Sequence, residues 1–108
     1  MGLQVLIQQV GPLPIKASFN APSDAPMYLV VNGSVWSQNA NTMIGISVQL
    51  DGKVLGKAQI FSNGNSTHRA VVPAYFPVQL QQGQHTIELD NSGGVSDYND
   101  FYTAVLHD

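Results

Sequence analysis

Residues 44 to 60 constrain the fold most tightly. Ile44, Ile46, Val48 and Leu50 alternate with Gly45, Ser47 and Gln49, the period of a strand with one face buried. Asp51-Gly52 then follows, a pair that accepts positive φ at both positions and so closes a two-residue hairpin. The return strand carries Val54, Ala58 and Ile60 inward and Lys53, Lys57 and Gln59 outward. A chain committed to this hairpin must find further strands to cover its apolar face, because a two-stranded ribbon alone is marginal in water.

The rest of the sequence supplies them. Leu3 to Val10, Ile15 to Phe19, Met27 to Trp36, Thr67 to Val72, Phe76 to Leu80, His85 to Asp90 and Asn99 to Asp108 all read as short strands. They are separated by Gly-Pro-Leu-Pro at 11–14, by the loop chemistry of residues 20–26 and 37–41, and by Gly83. No stretch has helical periodicity and no repeat recurs. Eight or nine strands in 108 residues predict an all-β antiparallel sandwich of jelly-roll type, one domain over residues 1–108.

Charge narrows the function. Only 10% of residues are charged, against about 25% in an average domain. Ten Gln, eight Asn and nine Ser make up the polar surface instead. Four cations, Lys16, Lys53, Lys57 and Arg69, and a net charge of -3 do not make a nucleic-acid footprint or a polybasic membrane surface. No apolar run reaches the ~20 residues of a membrane helix, and the start, Met-Gly-Leu-Gln, lacks a charged signal-peptide head. The expectation is a soluble chain whose compartment stays open. With no cysteine there are no disulfides, thiol nucleophiles or thiolate metal sites.

The first and last strands are anomalous. In Phe101 to Leu106, Phe101, Thr103 and Val105 line one face and Tyr102, Ala104 and Leu106 the other, and Leu6 stands among glutamines on the expected wet side of the first strand. An antiparallel sheet normally solvates its outer face. Leu6, Tyr102 and Leu106 are therefore the candidate interface of a homo-oligomer, or else they lie beneath the chain's own loops. In length, strand number and the Phe101-Tyr102 pair the chain resembles the jelly-roll trimers of the tumour-necrosis-factor and complement-globular-head superfamily. That resemblance implies neighbouring terminal strands in a sheet packed on a threefold axis.

Two stretches carry candidate chemistry. Trp36, with Gln38, Asn39 and Asn41 after it, combines an aromatic face with neutral amides, the groups that stack on and hydrogen-bond a sugar; the plain alternative is a core tryptophan whose indole N–H meets a carbonyl. Asp97-Tyr98-Asn99-Asp100 concentrates hard oxygens of the kind calcium prefers, and the plain alternative is a turn whose side chains cap backbone amides. The same four residues resemble part of the calcium loop of fucose-binding bacterial lectins, which implies Asp97, Asn99 and Asp100 as metal ligands. Acidic neighbours of that loop are replaced here by residues 91–96, and the chain ends in Asp108 and not glycine.

His68, His85 and His107 are widely spaced and match no zinc signature; His85 falls on the inward side of its strand. No nucleophile elbow, phosphate loop or dinucleotide fingerprint is present. Glu88, Asp90, Asp97 and Asp100 are the carboxylates that could supply the acid pair of a glycoside hydrolase. The leading expectation is a non-enzymatic, oligomeric, lectin-like module for a neutral glycan, without a cofactor unless calcium binds at Asp97 to Asp100. A structural subunit of a viral, tail-like or other multimeric particle is the competitor, and a small hydrolase the third reading.

Overall fold

In the computed structural model, which describes residues 2–108, Asp51 and Gly52 take φ of 52° and 81° and close the hairpin between β4 (Thr42–Leu50) and β5 (Lys53–Ser62). Glycine is suited to the second position because it lacks the Cβ that penalises positive φ. The other described strands are β1 (Leu3–Val10), β2 (Ile15–Ala21), β3 (Met27–Val35), β6 (Arg69–Ala70), β7 (Ala74–Val78), β8 (Gly83–Ser92) and β9 (Phe101–His107). None of the described elements is a helix long and apolar enough to cross a membrane.

Two antiparallel sheets form. One runs β1-β9-β3, with β6 and β7 both pairing the far edge of β3, and the other runs β2-β8-β4-β5. The chain passes from one sheet to the other at every connection except the β4–β5 hairpin and the β6–β7 link, and the last strand returns to lie between the first and third. That order is a jelly roll. The terminal strands are neighbours, with Leu3 opposite His107 and Val10 opposite Phe101.

The core lies between the sheets. Ile44, Ile46, Val48, Ile87 and Leu89 face Leu29, Val31, Val35, Tyr102, Ala104 and Leu106, all almost fully buried. Gly33 falls on the inner side of β3 between Val31 and Val35, where a Cβ would collide with the Tyr102 ring and come within 2.9 Å of the Phe101 carbonyl. The glycine marks close packing and not a bulge.

The inner and outer sides of β9 are opposite to the expected interface. Tyr102 and Leu106 are core residues, and Leu6 is half-buried against that core. Tyr102 and Leu106 are therefore unavailable to a partner and Leu6 is only partly exposed, which removes the basis on which a trimer of the tumour-necrosis-factor kind was expected. The cause in β1 is a register shift between Val5 and Ile7, which turns Ile7 inward and leaves Leu3 and Val5 exposed. A second shift, opposite Val48 and Gln49, puts Val54 on the outside rather than inside.

An apolar outer face exists nonetheless, made of the other residues. Val5, Val105, Val30 and Tyr75 are in register across β1, β9, β3 and β7. Beside this row lie Leu3, His107 and Tyr28, with the Tyr28 and His107 rings stacked at 5.9 Å. Alternation gives the second sheet a polar exterior of Lys16, Ser18, Thr86, Glu88, Ser47 and Gln49.

Candidate functional site

Jelly-roll topology brings four connections to one end of the sandwich: residues 11–14, 36–41, 63–68 and 93–100. Hydrogen bonds tie them together. Trp36 and Val95 exchange backbone bonds of 3.0 and 2.8 Å, the Ser66 N–H donates to Ser37 O at 2.7 Å, and the Gly11 N–H donates to Asp100 O at 2.8 Å. The Leu13 N–H completes the set by donating to Ser96 Oγ at 2.9 Å.

Asp100 is at the centre of this end. Its side chain is fully buried, and each carboxylate oxygen is engaged. Oδ1 accepts from the Ser34 hydroxyl at 2.6 Å and from His68 Nδ1 at 2.7 Å, and Oδ2 accepts from the Asp97 N–H at 2.9 Å. A buried carboxylate is tolerated when hydrogen bonds of this kind replace its water. Ser34 therefore bonds directly to the acid and not to the imidazole, which is not the order of a nucleophilic triad.

His68 is the residue that sequence reasoning missed at this site. It stands on the connection before β6, 32 positions from Asp100, and no local spacing links the two. Its Nε2 faces Asp97 Oδ2 at 3.7 Å, and its ring lies 5.8 Å from that of Trp36. His68, Asp97 and Asp100 each offer one ligand atom, all within 4.8 Å of one another. Asn99 is exposed, and its N–H donates to Asp97 Oδ1 at 2.8 Å. The capping role expected of the Asp97–Asp100 turn is thus present, alongside a wider cluster of donors. This cluster departs from the all-oxygen shell that calcium favours, since one donor is an imidazole and the Asp100 oxygens are already taken.

The aromatic and amide candidates are split in burial. Trp36 is half-buried, with its indole Nε1 enclosed and without a partner, so the carbonyl expected for a core tryptophan is not there. Gln38, Asn39 and Asn41 are exposed on the following turn, which Ser37 holds by accepting from Asn39 N–H at 3.0 Å and donating to Asn39 O at 2.6 Å. Tyr98, on the neighbouring loop, is 76% exposed. Glu88 and Asp90 lie on the outer side of β8, so the four carboxylates considered for hydrolysis do not converge.

No protein-family model matches the chain, and no curated protein matches it. Among solved structures it is similar to the EclA C-terminal domain, a sugar-binding protein, at TM-score 0.49 and 13% identity over 89% of this chain. The chain spans 65% of the length of that domain. It is also similar to the CBM36-1 domain of a multidomain xylanase from the hindgut metagenome of Trinervitermes trinervoides, at TM-score 0.47 and 16% identity, covering 97% of this chain and 94% of that one. A family 35 carbohydrate-binding module from Clostridium thermocellum gives TM-score 0.47 and 12% identity over 95% of this chain and 86% of the module. The jelly roll itself is defined by the strand pairing described above.

Proposed function

We propose that this chain is a non-catalytic binding module that takes a neutral glycan at its loop end. The observation that carries the reading is the joining of residues 36–41 to residues 93–100 through the Trp36–Val95 bridge, which gathers half-exposed Trp36 and exposed Gln38, Asn39, Asn41 and Tyr98 at one end. Aromatic faces pack on the C–H side of a sugar ring, while amides donate to and accept from hydroxyls without carrying a charge that must be desolvated. The scarcity of charge over the whole chain fits a neutral ligand. A glycan array followed by calorimetry tests this. The expected result is binding of at least one neutral oligosaccharide, weakened tenfold or more, about 1.4 kcal/mol, in Trp36→Ala or Tyr98→Ala. Absence of binding to any glycan overturns it.

A second reading rests on a different observation, the apolar row Val5–Val105–Val30–Tyr75 on the outer side of the first sheet. Here the chain assembles with copies of itself through that face, as a homo-oligomer of three or another number of subunits or as part of a larger particle. Light scattering on the native protein decides it, and a monomer at all concentrations ends it.

A further inference from the structure

Two features of the His68 environment point to a ligand that neither reading requires. A carboxylate only accepts, so the 2.7 Å bond to Asp100 Oδ1 places a proton on His68 Nδ1. In the neutral ring Nε2 then carries its lone pair toward Asp97 Oδ2, 3.7 Å away, and two acceptors face each other with no hydrogen between them. Second, the fully buried Asp100 carboxylate has no Lys or Arg ion pair among the described residues; its ionic partner is an imidazole, charged only when protonated. The cluster of two carboxylates and one imidazole therefore lacks a permanent positive charge.

We infer that this side-chain cluster is a site for a borderline divalent metal ion of the zinc type, ligated by His68 Nε2 and Asp97 Oδ2 and positioned by Asp100. Donor atoms around tetrahedral zinc, with bonds of about 2.0 to 2.2 Å, lie roughly 3.3 Å apart, so the 3.7 Å gap closes with a small rotation of either side chain. Asp100 holds the Nδ1–H and so fixes the tautomer and ring plane, the arrangement in which a carboxylate supports a metal-bound histidine. The remaining coordination positions face solvent, since the His68 and Asp97 side chains are 33% and 41% exposed. An imidazole ligand selects zinc, nickel or copper over calcium. The inference stands whether or not a glycan binds.

Zinc chloride titrated into the native chain, followed by calorimetry and thermal unfolding, tests the assignment. The expected result is one zinc per chain with a raised melting temperature, lost in His68→Ala and in Asp97→Asn, unchanged in Asn99→Ala, and not reproduced by millimolar calcium. Asp100→Asn is expected to weaken zinc 10- to 100-fold and to shift the His68 ring toward the other tautomer in its nitrogen-15 spectrum. In the unaltered protein, zinc must perturb the His68 Nε2 resonance before those of His85 and His107, which keeps the test decisive if a variant does not fold. Zinc affinity that persists in folded His68→Ala, equal stabilisation by calcium, or no zinc-induced change at His68 Nε2 overturns the inference.

Discussion

His85 Nδ1 lies 2.6 Å from Asp51 Oδ2, and the same ring directs Nε2 to the Gln81 carbonyl at 2.6 Å. Both ring nitrogens thus meet acceptors, the arrangement of an imidazolium, and the contact ties the β4–β5 turn to the start of β8. The hydrogen bond to Asp51, then that to Gln81 O, raises the His85 pKa above 6.5 against the opposing effect of burial. For Asp51, burial raises the carboxyl pKa, but the bonds from His85 and the Thr86 N–H outweigh it and leave it below 3.8.

The sign of the pH dependence follows from these shifts. His85, with its pKa raised on folding, contributes stability that is complete below about 6.5 and lost as pH rises through its folded value. Asp51, with its pKa lowered, contributes above about 3.8 and loses it as pH falls through its own folded value. His85→Gln should therefore cost most between these limits, about 1 kcal/mol for a contact with one exposed partner. Melting curves of both proteins from pH 4 to 9 should converge at the alkaline end, and a constant gap across that range contradicts the account.

Asp100→Ala should destabilise by roughly 2 to 4 kcal/mol. The change strands the Ser34 hydroxyl, the His68 Nδ1–H and the Asp97 N–H around a buried void. Asp100→Asn keeps one acceptor and the shape, so it should cost less. Urea midpoints at constant m-value provide the comparison.

At Gly33 a methyl group has nowhere to go, since its neighbours are the Tyr102 ring, the Phe101 carbonyl and Ile46. Gly33→Ala should lose about 1 to 3 kcal/mol through overpacking, although alanine is ordinarily a mild change in a strand. A wild-type melting temperature for this variant would show that Tyr102 moves freely.

Trp36→Phe should leave stability within about 1 kcal/mol of the parent. The indole Nε1 has no partner to lose, and removing it relieves an enclosed donor while giving up some apolar contact. Chemical denaturation measures this, and the same variant separates ring stacking from hydrogen bonding in any glycan affinity.

Val5→Lys and Tyr75→Ser alter residues 55% and 64% exposed, so neither should change the stability of a single chain by more than about 0.5 kcal/mol. If the chain self-associates through this face, both should lower the mass seen by light scattering. Leu106→Ala, in the core, should instead cost about 2 to 5 kcal/mol whatever the assembly.

Strand existence was readable from alternation and turn chemistry, as Ile44 to Leu50 and Asp51-Gly52 illustrate, because both depend on neighbours within ten residues. Facing was not readable where a register shift intervenes. Leu3 and Val5 share a parity with Ile7 in the sequence, and a single irregularity at Leu6 separates them in space. In β9 both faces are apolar, so parity alone could not choose which one meets the other sheet; packing of Tyr102 between Gly33 and the second sheet does. At the loop end the Asp97–Asp100 string was visible because its members are adjacent. His68 was not, because only the closing of the two sheets brings it beside Asp100.

The antiparallel pairing of β1 with β9 sets Gly2 and Asp108 side by side, joined by a 3.1 Å bond from the Gly2 N–H to Asp108 Oδ1, at the end of the sandwich remote from Asp100. A tether attached at either terminus, or at both, leaves Trp36, Tyr98 and His68 pointing away from whatever holds it. The same adjacency means that a short peptide could splice the ends together and the polypeptide be reopened at the Asp51-Gly52 turn without crossing either sheet.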